Sequence, residues 1–226
     1  MNRNHVVRFM LPLLAFTALT AFVTIAYAGG WAIITLNEFP DYAVAGKTLN
    51  LSFFVRQHGV TLLPDLRPTV HATAAGGLVA KASAVPAGSQ GQYNAALTLP
   101  EPGDWTITVT SGFNTSETTL PVLKVIPSGS PVPTPFVAAT RGLRLFTAKG
   151  CTGCHRHLEA NPEHTADAKF DLTGKRFPPD YLKKFLADPS IKTPDMPNLK
   201  LKEEEIDALA AFINKGLMKQ REAQGR

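Results

Sequence analysis

The sequence of 226 residues has only two cysteines, no internal repeat and one long uncharged apolar run. Two cysteines cannot cross-link a disulfide-dense scaffold. An apolar content of 44% is too low for a polytopic membrane protein and too high for a disordered charged chain. The net charge of +5 is modest, and no basic stripe with interleaved aromatic residues is present, so no nucleic acid is expected as a partner.

The amino-terminal segment has the pattern of an export signal. Residues 1–8 carry two arginines and no acidic residue, residues 9–26 carry no charge, and an Ala-Tyr-Ala sequence ends at Ala28. This pattern predicts a signal peptide over residues 1–28, cleaved after Ala28. The alternative is an uncleaved membrane anchor, since residues 9–26 are just long enough to cross a bilayer. Both interpretations place the rest of the chain outside the cytoplasm.

A proline-rich segment divides the remaining chain. Residues 127–135 contain four prolines, which favour extended backbone and are typical of a semi-rigid linker. Residues 29–126 hold five basic and six acidic residues, whereas residues 136–226 hold sixteen and twelve. The sequence therefore predicts two domains at these boundaries, and the basic character belongs mainly to the second.

Residues 29–126 show the alternation of half-buried β-strands. Trp105, Ile107 and Val109 alternate with threonines, and the residues from Leu49 to Val55 alternate in the same way. Seven short strands separated by glycine and proline turns predict an all-β, immunoglobulin-like sandwich, without the inter-sheet disulfide. The other five candidate strands are 31–36, 69–74, 78–84, 93–99 and 118–126.

Residues 136–226 show helical periodicity instead. Apolar residues recur at helical spacing in 140–149, 179–186 and 203–217. The last segment has acidic residues in its first turn and Lys215 near its end, which suits the helix dipole. The second domain is therefore predicted to be all-α.

Both cysteines lie in one motif, Cys151-Thr-Gly-Cys154-His155. C-x-x-C-H is the attachment signal of c-type haem: two thiols form thioethers to one haem c, and the adjacent histidine binds the iron. Thr152 and Gly153 are small, which predicts that the backbone here lies close to the porphyrin.

Other uses of this motif fit the sequence less well. A thioredoxin-type dithiol would follow a βαβ pattern, which is absent. A zinc site needs four ligands, and the sequence has no second C-x-x-C. A disulfide between the two cysteines would close a very tight loop.

The second axial ligand is predicted to be Met196, which lies in a proline-flanked loop before the last helix. Such a loop can hold a thioether at a fixed distance from iron. Met218 falls at the end of the last helix, and His157 and His164 fall in a polar stretch that is expected to be solvated. A histidine ligand or an open site are the alternatives. Ligation by histidine and methionine raises the reduction potential, which favours electron transfer.

Residues 138–218 resemble a small mono-haem class I cytochrome c. The resemblance implies a helical shell around one covalent haem c and a role as an electron carrier rather than an enzyme. Residues 181–186 are expected to help wall the haem or, equally, to form ordinary helix core. The resemblance rests on Gly142 and Phe146 before the motif, Leu172-Thr-Gly174 after it, Met196-Pro197, and Phe212 in the last helix.

Residues 31–113 resemble the FixH/YtkA-like group of extracytoplasmic β-sandwiches, through the stretches 41–46, 54–59 and 102–108. Some relatives in that group are linked to copper handling or oxidase assembly. His58 and His71 are candidate copper ligands, but this domain has no methionine or cysteine, and two histidines are few for copper. A docking or spacer module is the favoured interpretation. A copper-handling or oxidase-assembly factor, or the haem subunit of a larger redox enzyme, are the alternatives.

Five lysines close in sequence to the predicted ligand loop suggest a redox partner protein of acidic character. A basic rim would steer such a partner to the haem edge. An ordinary solvated surface explains the same residues equally well. The five are Lys183, Lys184, Lys192, Lys200 and Lys202.

Overall fold

The computed structural model describes residues 30–167, 169–189, 192–193 and 195–224, with side chains up to residue 215. The predicted signal peptide or anchor therefore lies outside the described residues. Within them, the longest helices are too short or too polar to cross a bilayer.

Residues 32–126 form eleven strands in the described part of the chain, and these make two sheets. The strands are β1 (Ala32–Leu36), β2 (Tyr42–Val44), β3 (Thr48–Gln57), β4 (Thr61–Leu62), β5 (Thr69–Ala74), β6 (Val79–Ser83), β7 (Val85–Pro86), β8 (Gln92–Thr98), β9 (Gly103–Thr110), β10 (Glu117–Thr119) and β11 (Leu123–Ile126). The first sheet has the order β1-β3-β8-β7, with β4 beside β3. The second has the order β2-β11-β9-β5-β6, with β10 beside β9. The predicted β-sandwich is confirmed.

The apolar residues that alternate with polar ones in the sequence lie on the inner faces of the two sheets, as predicted. Phe53 on β3 and Trp105 and Ile107 on β9 are fully buried in one core. The polar groups of its two largest side chains have partners: the Trp105 indole donates to the Glu101 carbonyl at 2.9 Å, and the Tyr93 hydroxyl donates to the Leu63 carbonyl at 2.8 Å.

The prediction of one strand over residues 118–126 is wrong. The segment breaks into β10 and β11, because Pro121 has no N–H to continue a ladder. The short strands β2, β4 and β7 were not predicted, since two or three residues are too few to show alternation. Pairing holds them in place, as when β2 runs parallel to β11.

Three α-helices follow: α1 (Ala138–Ala148), α2 (Pro179–Ala187) and α3 (Glu203–Gln224). They match the predicted helices to within a few residues, except that α3 extends seven residues further. Helix α2 begins with Pro179, whose missing N–H costs nothing at that position. The residues between β11 and α1, which include the predicted linker, contain neither helix nor strand.

Helices α1 and α3 cross in close contact at Gly142. A Cβ atom there would lie 1.9 Å from the Ala208 carbonyl oxygen and 2.6 Å from Phe212 Cβ. One turn later, Phe146 packs on Phe212 with ring centroids 5.5 Å apart. Only glycine permits this approach, which explains the spacing of Gly142 and Phe146.

We expect Gly142→Ala to lower the free energy of unfolding by about 2–3 kcal/mol, because the new methyl forces the helices apart. Alanine has the higher helix propensity, so a loss can come only from packing. Gly88→Ala is the matched control, since a Cβ at Gly88 meets open space. Urea denaturation measures the free energy of unfolding of both variants. Equal unfolding midpoints for the two would contradict this close crossing of α1 and α3.

The sandwich and the helices share a buried polar contact. The Lys149 ammonium lies 2.7 Å from the Glu205 carboxylate, and the two side chains are only 3% and 6% exposed. The same ammonium donates to the Asn37 carbonyl of the sandwich at 2.6 Å, and Glu205 accepts from the Lys202 backbone N–H at 3.1 Å. The end of α1, the start of α3 and the sandwich therefore meet at one ion pair.

Candidate functional site

A cavity of about 680 Å³ brings together the four predicted site residues Cys151, Cys154, His155 and Met196. Its volume falls in the range of roughly 300–1,000 Å³ that is usual for cofactor pockets. The predicted wall residues in 181–186 line it, and side chains from all three helices make it largely apolar. The apolar lining includes Phe146, Leu172, Phe177, Leu182, Phe185, Leu186, Leu209 and Ile213.

The two cysteines are held by a short turn that follows α1. Residues Cys151–Gly153 form one turn of 3₁₀-helix, preceded by Gly150 in the left-handed region at φ +76°. Burial raises the pKa of Cys151 to about 12 and also raises that of Cys154. Both side chains are therefore thiols at neutral pH, whereas a reactive redox dithiol has a lowered pKa.

The imidazole of His155 is oriented by a backbone carbonyl. Its Nδ1 lies 3.2 Å from the Phe170 oxygen, and since a carbonyl can only accept, the proton is on Nδ1. This leaves the lone pair of Nε2 for a metal, the arrangement usual for a histidine ligand. The pKa of His155 is lowered, chiefly by burial and also by His164, with the Phe170 hydrogen bond opposing. The ring is therefore neutral, as a ligand must be.

The segment that carries the Phe170 carbonyl is held by an ion pair between Arg156, which follows His155, and Asp171, which follows Phe170. Arg156 Nη1 donates to Asp171 Oδ2 at 2.6 Å, and Asp171 Oδ1 accepts from the Thr173 N–H at 2.8 Å. Hydrogen bonds from Thr173, followed by Arg156, lower the pKa of Asp171 to about 2. The segment after the motif is thus pinned beside His155.

Met196 lies half-buried against the helical core. Its backbone N–H donates to the Thr193 carbonyl at 3.0 Å, which closes the turn before Pro197. His164 also lines the cavity and is half-buried. The side chain of Met218 falls outside the part of the chain that is described.

The expectation that His157 is solvated is wrong. It is 1% exposed and packs on Phe212 and Phe146, with ring centroids 4.3 Å and 6.1 Å away. Its Nδ1 accepts the Glu159 N–H at 3.3 Å, while Nε2 has no hydrogen-bond partner among the described residues. Burial lowers the pKa of His157. His157 is therefore a neutral core residue.

Gly153 lies in close contact with a residue of the sandwich. A Cβ there would lie 2.6 Å from Ile33 Cδ1, and one at Gly150 would lie 2.4 Å from Ile33 Cγ2. The close neighbour of the motif on this side is thus strand β1 of the sandwich, which packs against the turn that carries the cysteines.

The lysines of the predicted basic rim have different surroundings. Lys192 lines the cavity, with its ammonium 4.6 Å from the Tyr181 ring centroid. Lys183 pairs with Asp207, and Lys202 pairs with Glu38 of the sandwich. Lys184 and Lys200 are exposed. Sequence reasoning missed Lys169, which also lines the cavity.

The two histidines considered for copper lie in different places. His58 lines the cavity, together with Trp31, whereas His71 is exposed on β5 in the other sheet. In the described ranges, no group of three or more His, Cys, Asp or Glu residues is arranged to hold a metal ion. The sequence carried no signal for Trp31 and His58 as cavity residues, because both belong to the other domain.

Comparison with known proteins identifies the helical domain. Residues 137–213 match the family model described as cytochrome C oxidase, cbb3-type, subunit III. No curated protein matches the chain.

Solved structures similar to the chain include the Lin-41 filamin domain, at 12% identity over 43% of this chain and 98% of that one, with a TM-score of 0.35. Domains 4 and 5 of the S-layer protein SbsC match at 17% identity over 41% and 50%, with a TM-score of 0.30. Salmonella alpha-2-macroglobulin matches at 21% identity over 51% and 8%, with a TM-score of 0.35. Likenesses this weak carry no functional argument.

The family match and the geometry agree on the carboxyl-terminal part of the chain. The matched residues contain the C-x-x-C-H motif, helices α1 and α2, the first half of α3, and all the residues that line the cavity except Trp31 and His58. Residues 137–213 are thus a cytochrome c domain, a haem c electron-transfer module, and they follow a β-sandwich of the immunoglobulin-like type.

Proposed function

We propose that the protein is an extracytoplasmic carrier of single electrons that holds one covalent haem c, with His155 and Met196 as axial ligands. The observation that carries this proposal is that both cysteines, His155 and Met196 line the same cavity. Haem c bound there supplies reversible one-electron exchange between Fe(II) and Fe(III). The presence of just two cysteines, both in one motif, supports one haem per chain.

Each site residue has a distinct task in this proposal. The Cys151 and Cys154 thiols provide the covalent anchors, and the neutral His155 ring, oriented by the Phe170 carbonyl, provides Nε2. Met196 provides a thioether from a closed turn. The apolar side chains of the three helices exclude water, which reduces the reorganisation that accompanies a change of charge.

A second candidate is the haem subunit of a larger oxidoreductase complex. The family match, whose description names an oxidase subunit, favours it. In both cases this chain carries electrons, and with Met196 as ligand it has no vacant iron position for substrate chemistry of its own.

An acidic redox partner protein is part of the proposal. Lys169 and Lys192 line the cavity. Lys184 and Lys200 are exposed, and both are close to Lys192 in the sequence. Complementary charge of this kind accelerates association and is screened by salt. The sandwich would act as a docking or spacer module, and residues 9–26 would export the chain or anchor it to the membrane.

Met196→His is expected to lower the reduction potential by on the order of 0.1 V, within the ~0.8 V range that axial ligands set. The reason is that a thioether favours the reduced iron more than imidazole does. Redox titration of the haem-loaded protein measures the shift. Met218→His is the control, because Met218 is the other methionine of this domain. A shift in the Met218 variant, with none in the Met196 variant, would reverse the assignment.

A further inference from the structure

Two aromatic side chains of the sandwich line the same cavity as the cysteines and His155. They are Trp31 and His58, whose ring centroids lie 5.7 Å apart at an angle of 60°. Trp31 is 42% exposed and His58 is exposed too, so one side of this pair meets solvent while the other faces the cavity. This part of the cavity wall therefore comes from outside the cytochrome c domain.

The backbone of His58 places its ring in this position. His58 and Gly59 both have positive φ, at +50° and +78°, in the tight turn that joins β3 to β4. Such hairpin turns favour Asn-Gly, and histidine is a less usual first residue. A Cβ at Gly59 would lie 3.8 Å from the Cys154 sulfur. The tip of the hairpin thus reaches the Cys154 side of the cavity.

Other contacts hold the sandwich in this position. Ile33 of β1 packs against Gly150, which precedes the cysteine turn, and against Gly153, which ends it. The buried Lys149 ammonium bonds the Asn37 carbonyl of the sandwich. Moving the sandwich away would break a buried hydrogen bond and expose Ile33, so the wall is a fixed feature of the fold.

We propose that Trp31 and His58 are positioning residues of the haem site, which close the Cys154 side of the cavity against water. The inference rests on the proposed function and extends it: the sandwich is part of the haem pocket, beyond any docking or spacer role. Excluding water disfavours the additional positive charge of the oxidised iron. The two rings therefore raise the reduction potential.

The test compares His58→Asn with His71→Asn in the haem-loaded full chain. Asparagine before Gly59 suits the turn, so the hairpin is retained while the ring is lost. We expect the ratio of reduced to oxidised protein at a fixed solution potential to fall at least threefold for His58→Asn, or about 30 mV for one electron. His71→Asn should leave the ratio unchanged, because His71 lies on β5 in the other sheet and does not line the cavity. Trp31→Ala should shift the ratio in the same direction as His58→Asn.

The outcomes separate the inference from the proposed function. A chain that carries no covalent haem on a denaturing gel overturns the proposed function before any potential is measured. A haem-loaded His58→Asn protein with the same potential as His71→Asn overturns the inference alone. The melting temperature is the structural readout, and we expect it to be unchanged or higher in His58→Asn. A fall in melting temperature and an equal shift in potential for both variants would show general destabilisation, and the inference would be wrong.

Discussion

The double variant Cys151→Ala/Cys154→Ala is expected to lose all covalently bound haem, because no other cysteine is present to form a thioether. Haem staining after denaturing electrophoresis measures this directly, since only covalently attached haem remains with the chain. Each single variant should retain haem through one thioether, in smaller yield. The expected effect is complete loss in the double variant, which is the largest change we predict.

Thr152→Ala is the matched control for the cysteine variants. It changes the same turn, removes a side chain of similar size and leaves both thiols in place. We expect full haem attachment in this variant. Haem that stays with the double cysteine variant under denaturing conditions would contradict the assignment of the motif.

Lys149→Met is expected to lower the free energy of unfolding by about 3–5 kcal/mol. Both side chains of the Lys149–Glu205 pair are buried, so removing the ammonium leaves a carboxylate without its cation in an apolar interior. The variant also removes the donor to the Asn37 carbonyl of the sandwich. Chemical denaturation of the haem-loaded protein measures the loss.

Two further variants locate the cause of that loss. Lys202→Met removes the exposed ion pair with Glu38 and should leave the stability almost unchanged, since solvent screens such pairs. Lys149→Met/Glu205→Gln should recover part of the stability, because the uncompensated charge is gone. If the double variant were as unstable as Lys149→Met, the buried charge would not be the cause.

Much of the fold follows from local patterns in the sequence. Alternation in β3 and β9 and helical spacing in α1, α2 and α3 reflect faces that are buried in each domain. The C-x-x-C-H motif is local as well, since its chemistry needs only neighbouring residues. Gly142 was part of the resemblance to cytochromes c, and its short distance to Ala208 shows why a glycine is needed there.

Features that depend on distant residues could not be predicted. Nothing near His157 indicates that Phe212, far along the chain, covers its ring. The short strand β2 exists because β11 pairs with it. The prediction for residues 118–126 failed for a local reason instead. The residues on either side of Pro121 suit a strand, but Pro121 has no N–H with which to continue the hydrogen bonds of one.

The sequence by itself determined that a β region precedes a helical one, the order of the main elements and the C-x-x-C-H motif, because periodicity and motif spacing are properties of neighbouring residues. Tertiary structure decided what surrounds them. It placed Trp31 and His58 of the sandwich at the cavity of the cytochrome c domain and joined the two domains through Lys149. Burial and contact between remote segments arise only when the chain is packed, and they made one site from both domains.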